Sequence, residues 1–87
     1  MSHLDIFERR TYANNWRCKK KGVIGQITKE ELKNLVENTS ICSHCNKNIE
    51  KWSIDHKIPL RKGGFNIILN IQIICHNCNR DKERKDE

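Results

Sequence analysis

Two helices followed by a strand, a loop, a second strand and a closing helix is the small α+β fold that this sequence predicts. Three observations carry the prediction. Apolar residues recur at helical spacing before residue 40, four cysteines fall into two Cys-x-x-Cys pairs separated by 29 residues, and the stretch between the pairs changes to the alternation of strands. The 87 residues are read as one domain, with an N-terminal helical lead-in over 1–40 and a core over 41–87. A chain this short buries only about 60–65% of its unfolded surface, so an apolar core alone is marginal and a staple is the usual supplement.

Taken in order, Ser2 and Asp5 have the spacing of a capping box, and Leu4, Phe7, Thr11 and Cys18 follow at near-helical intervals. They predict a first helix from His3 to about Arg17, with Tyr12 and Trp16 one turn apart. Lys19-Lys20-Lys21-Gly22 closes it, since cations suit the negative end of the helix dipole and glycine suits the cap. Thr28-Lys29-Glu30-Glu31 is a stronger capping box, and Leu32, Leu35 and Val36 at i, i+3, i+4 predict a second helix over Lys29 to Glu37. Cys42-Ser43-His44-Cys45 forms a tight knuckle. Trp52 to Ile58 reads as a strand and Arg61-Lys62-Gly63-Gly64 as a loop. Asn70 to Cys75 alternates, with Ile71, Ile73 and Cys75 on one face, and Asn77 to about Lys85 is a charged helix.

Met1 to Arg10 contains no apolar stretch of the kind that exports a protein, and no apolar run is longer than Ile67-Ile68-Leu69. The expected compartment is therefore the reducing cytoplasm, where paired cysteines bind metal rather than oxidise; the odd Cys18 fits that view. Two intervening residues let both thiolates of a knuckle reach one ion, so Cys42, Cys45, Cys75 and Cys78 are expected to hold a tetrahedral structural Zn²⁺. His44 and His76, inside the knuckles, are the competing ligands. A closed four-thiolate site has no open position for catalysis, which leaves the chemistry to the residues between the pairs. The net charge of +6 is concentrated in residues 1–22, where six basic side chains face two acidic ones. Such a bias suits a polyanion and equally suits simple solubility.

Between and beyond the knuckles stand Asp55-His56-Lys57-Ile58-Pro59-Leu60, Arg61-Lys62-Gly63-Gly64, Asn70-Ile71-Gln72 and Cys75-His76-Asn77-Cys78-Asn79-Arg80-Asp81-Lys82. In this order they resemble the HNH endonucleases, in the branch whose Asp-His strand, Gly-Gly loop, central Asn and following helix are bracketed by Cys-x-x-Cys pairs. The resemblance is close from Cys42 to Lys82. It implies a ββα-metal fold and metal-dependent hydrolysis of DNA phosphodiester bonds, with one strand nicked per site. By the same resemblance His56 matches the general base and Asn70 the residue that braces the loop and helps orient that base. Asp55 and Asn79 match the ligands of a catalytic divalent metal. Asn79 stands where many members have histidine, and an oxygen-only pair favours Mg²⁺ or Mn²⁺ over imidazole-seeking Zn²⁺ or Ni²⁺.

Lys57, Arg61, Lys62, Arg80 and Lys82 are the candidate nucleic-acid contacts, the expected partner being double-stranded DNA in phage, mobile-element or restriction machinery. Arg9, Arg10, Arg17 and Lys19 to Lys21, with Trp16, read first as a solvated helix face and second as an added grip. Adjacent residues of a regular strand point to opposite faces, so Asp55 and His56 are expected to diverge unless the strand twists or ends there. The alternative reading is a zinc-ribbon nucleic-acid-binding module without catalysis, which needs neither the Asp-His pair nor the two asparagines.

Overall fold

The computed structural model describes residues 5–85, with side chains as far as Lys82. Its element order is α1 (Ile6–Lys20), α2 (Lys29–Glu37), β1 (Trp52–His56), β2 (Ile71–Cys75) and α3 (His76–Lys85), the α+β order read from the sequence. Short 3-10 turns at Leu60–Lys62 and Ile68–Asn70 shape the loop between the strands.

The expected cap at Ser2, with His3 and Leu4, lies outside the described residues. The cap observed is Asp5, whose carboxylate accepts from the Glu8 amide at 2.8 Å, so α1 opens at Ile6. It also runs past Arg17 to Lys20, because the amides of Lys21, Gly22 and Val23 satisfy the last carbonyls from Arg17 to Lys19. The second capping box is complete: Thr28 Oγ1 accepts from Glu31 N at 3.1 Å, and Glu31 Oε1 accepts from Thr28 N at 2.9 Å. Lys29 then bridges α2 to the start of α1, donating to Asp5 and Glu8 at 2.8 and 2.9 Å. These bonds hold the Asp5 carboxyl below its ordinary value.

Burial divides into two clusters, one on each side of the hairpin. Leu32 of α2 packs on Ile27, Ile71 and Ile73, and Phe7, Leu35, Val36, Trp52, Ile54 and Ile68 close around them. Phe7 stacks on Trp52, with the Arg10 guanidinium over the same indole. The second cluster is smaller: Ile74 with Cys42 and Cys78, flanked by Cys45, Ile49 and Cys75. Tyr12 and Trp16 of α1 face solvent and belong to neither.

The strands pair antiparallel, Trp52 with Cys75 through His56 with Ile71. β1 stops at His56 instead of continuing to Ile58, because the Asn70 carboxamide takes over both backbone groups of Ile58. Its Oδ1 accepts from Ile58 N at 2.8 Å and its Nδ2 donates to Ile58 O at 3.1 Å. Asn70 lies in the second 3-10 turn, so β2 begins one residue later than the alternation suggests. No helix among the described residues is long and apolar enough to cross a membrane.

Candidate active site and metal centre

The four knuckle cysteines converge at the open end of the hairpin, where Trp52 pairs with Cys75. Cys42 and Cys45 come from the turn before β1, Cys75 from the last position of β2 and Cys78 from the first turn of α3. Their sulfurs all lie within 4.8 Å of one another, a four-cysteine metal-binding cluster. His44 and His76 are exposed beside it and do not join. Asn46 takes a left-handed φ of 61° to turn the first knuckle, and the second is tied to the strand by His76 N donating to Lys51 O at 3.0 Å. Burial opposes ionisation of the Cys42 thiol, but three backbone amides (Cys45, Cys75 and His44) aim at its sulfur and bring it down to about 6. That sulfur is prepared as a thiolate, the form a metal binds. The Cys78 thiol is pushed up, first by its hydrogen bond with Cys75 and then by burial. Cys18 is buried in α1 and its thiol is raised by desolvation, which makes it a packing residue.

Asp55 and His56 diverge, as a regular strand requires. Asp55 is buried and faces α3. Its carboxylate accepts from Lys82 Nζ at 2.8 and 2.9 Å and from Gln72 Nε2 at 2.7 Å. Asn79 precedes Lys82 by three positions on α3, the spacing that puts two side chains on one helix face. A cation, the Lys82 ammonium, already sits against the Asp55 carboxylate.

His56 faces the other way, toward α1. It lines a cleft of about 160 Å³ with Asn14, Arg17, Cys18, Lys21, Ile54 and Leu60. Its Nε2 lies 3.0 Å from Asn66 Oδ1. Asn66 is fully buried in the loop between the strands, and two asparagines of α1 hold it. Asn14 Nδ2 donates to Asn66 Oδ1 at 2.9 Å, and Asn66 Nδ2 donates to Asn15 Oδ1 at 2.9 Å. Asn70 braces the same loop from its far end, donating to Phe65 O at 2.9 Å in addition to its two bonds with Ile58. Gly64 is required there: a Cβ on it would collide with the Ile58 carbonyl and crowd the Asn70 carboxamide.

Lys57, Arg61 and Lys62 are exposed along the loop, and Arg80 is exposed on α3. Lys82 is half-buried against Asp55. Sequence reasoning missed Asn14, Asn15 and Asn66, and assigned Arg17 and Lys21 first to a solvated face. One signal was present: Asn14 falls on the same helical stripe as the buried Thr11 and Cys18, an odd place for a carboxamide unless it has a partner inside.

The family model described as HNH endonuclease matches residues 42–85, half of the chain, from the first knuckle to the end of α3. No curated protein and no solved structure matches.

Proposed function

This chain belongs to the HNH endonuclease family, and on that premise we propose that it is a metal-dependent nuclease hydrolysing phosphodiester bonds in double-stranded DNA, one strand per site. The observation that carries the proposal is the placement of His56. A half-buried imidazole, fixed at one nitrogen, opens on a cleft that also presents Arg17 and Lys21. Imidazole titrates near neutrality and is the usual group for taking a proton from water. The two cations supply the charge that draws a phosphodiester into reach of that water.

In this reading His56 removes a proton from the attacking water, and Asn70 keeps the loop around the histidine closed. Lys57, Arg61, Lys62 and Arg80 hold the flanking phosphates. The cysteine cluster holds a structural Zn²⁺ that fixes the hairpin to α3. Asp55 and Asn79 are the residues that would hold a catalytic divalent ion. The donor set fits one, since a carboxylate and a carboxamide are hard oxygen ligands and the Lys82 ammonium shows the carboxylate already attracting a cation. Bound there, Mg²⁺ or Mn²⁺ would supply electrostatic stabilisation of charge at phosphorus and on the departing oxygen.

The test is supercoiled plasmid incubated with the zinc-loaded protein in Mg²⁺, Mn²⁺, Ni²⁺ or EDTA. Conversion to nicked circle with Mg²⁺ or Mn²⁺, none in EDTA and little linear product at early times is the expected pattern. One observation favours a second reading, a nucleic-acid-binding module without catalysis: the Asp55 carboxylate is engaged by Lys82 and Gln72. Binding to the plasmid in a gel shift with no nicking in any metal would give that reading the lead.

A further inference from the structure

The carboxamides between α1 and the interstrand loop form a chain in which every donor and acceptor is determined. It starts at the backbone. Ile27 N–H donates to Asn15 Oδ1 at 3.0 Å, and Ile27 C=O accepts from Asn15 Nδ2 at 2.8 Å, so Asn15 has one possible orientation. Its Oδ1 must then be met by a donor on Asn66, which is Nδ2, and the Gly25 carbonyl accepts from the same nitrogen at 3.4 Å. The other arm of the Asn66 carboxamide is therefore its oxygen. An amide oxygen only accepts, and it faces two groups: Asn14 Nδ2 at 2.9 Å and His56 Nε2 at 3.0 Å.

We infer that Asn66 is a positioning residue for His56, fixing its neutral ring in the tautomer that carries the proton on Nε2 and leaves the lone pair on Nδ1. The inference rests on the reading of His56 as the base. The opposite tautomer would set a nitrogen lone pair against the amide oxygen lone pairs inside a buried network, where an unmade hydrogen bond costs about 1–3 kcal/mol. Nδ1 is thus the nitrogen that takes the proton of water. The O–H electron pair stays with the oxygen that bonds to phosphorus. The imidazolium keeps its Nε2–H···Oδ1 bond, now charge-assisted; as the P–O bond breaks, its electron pair stays with the leaving oxygen, which takes a proton from solvent water, and Nδ1 then releases its own proton to solvent. Gly25 admits this arrangement: its φ is 107°, and a Cβ there would lie 2.5 Å from the Asn66 carbonyl oxygen. The helical lead-in, outside the matched family segment, therefore contributes to the base itself.

The experiment is ¹⁵N NMR of the imidazole nitrogens in zinc-loaded wild type, at a pH where His56 is neutral, paired with plasmid-nicking kinetics in Mn²⁺. Wild-type His56 should show a pyrrole-type Nε2 and a pyridine-type Nδ1. Asn66→Ala, with its zinc content retained, should give a tautomer mixture and a kcat lower by about 10–100-fold, the range for residues that orient a functional histidine, with KM for the plasmid unchanged. A proton on Nδ1 in the wild type overturns the inference without reference to any variant. So does an Asn66→Ala protein with wild-type kcat. Failure of the wild type to nick in any metal strikes instead at the nuclease reading, and the spectrum still decides the tautomer.

Discussion

The two ends of the β1–β2 hairpin are held by different chemistry. At the knuckle end, four cysteine sulfurs gather around a cluster whose apolar contribution is essentially Ile74. Burying one isoleucine is worth about 1.5–3 kcal/mol, whereas structural Zn²⁺ in finger peptides contributes about 10–16 kcal/mol, so a metal bound by these cysteines would decide whether this end forms. At the loop end the closing contacts are carboxamide hydrogen bonds. Asn66 and Asn70 are buried, Asn14 is buried opposite them, and the loop between β1 and β2 is closed by their carboxamides. A metal centre tolerates a polar, exposed surround because its bonds are strong. A carboxamide network stays ordered only if every member is satisfied, and this one places the histidine as a by-product of satisfying itself.

The largest effect should come from breaking the knuckle end. Cys42→Ser or Cys78→Ser, or exhaustive chelation, should abolish cooperative folding of the hairpin and α3 and release about one zinc per chain. Elemental analysis with circular dichroism checks it. A folded, metal-free protein would place the stability in the Leu32 cluster and end the contrast. Acid should do the same more gently. The folded Cys42 thiol sits below its ordinary 9.0, at about 6. Its contribution is therefore fully present above the unfolded value and lost as pH falls through about 6, where protons compete with the metal.

The difference between the ends also explains what could be read beforehand. Cysteine spacing is a local signal, so Cys42, Cys45, Cys75 and Cys78 were assignable from sequence. So were α2, from a capping box written in four consecutive residues, and the divergence of Asp55 and His56, from strand geometry alone. The Asn66 network was not legible. Its partners Asn14 and Asn15 are about fifty positions away, and asparagine, common in loops, announces nothing until a backbone has fixed its orientation. Asn70 was found through its motif, yet the early end of β1 that it causes was missed, because strand propensity continues through Ile58.

The loop end is broken most directly at the residue it positions. His56→Ala should slow nicking by about 10²–10⁴-fold, the usual worth of a general base, while zinc content and plasmid binding persist. A time course beside a gel shift at fixed salt makes the measurement. Wild-type rates in the variant would mean that His56 is merely the polar cap of the Ile54 face, and that the carboxamides serve packing only.

A smaller change should appear where the two ends meet, on α3. Asn79→His replaces a hard oxygen donor by imidazole, and the ratio of Ni²⁺- to Mg²⁺-supported nicking should rise by about tenfold. An unchanged ratio would remove Asn79 from the metal site and leave α3 as a purely structural extension of the knuckle.

The smallest effect concerns Lys82, whose ammonium lies 2.8 Å from Asp55 while the side chain keeps about a third of its surface in water. Lys82→Met preserves the length and packing of the stem and removes the charge. If the ammonium stands where a divalent ion binds, its removal has two opposed consequences. The ion-free protein loses a partner for a buried carboxylate and melts lower. The ion meets less competition, so half-maximal nicking should need about fivefold less Mn²⁺, equivalent to about 1 kcal/mol for a partly exposed pair. Added Mn²⁺ should then raise the melting temperature of the variant more than that of the wild type. A variant that melts lower and gains nothing from Mn²⁺ would make Asp55 a strut between β1 and α3, with its charge serving the fold alone.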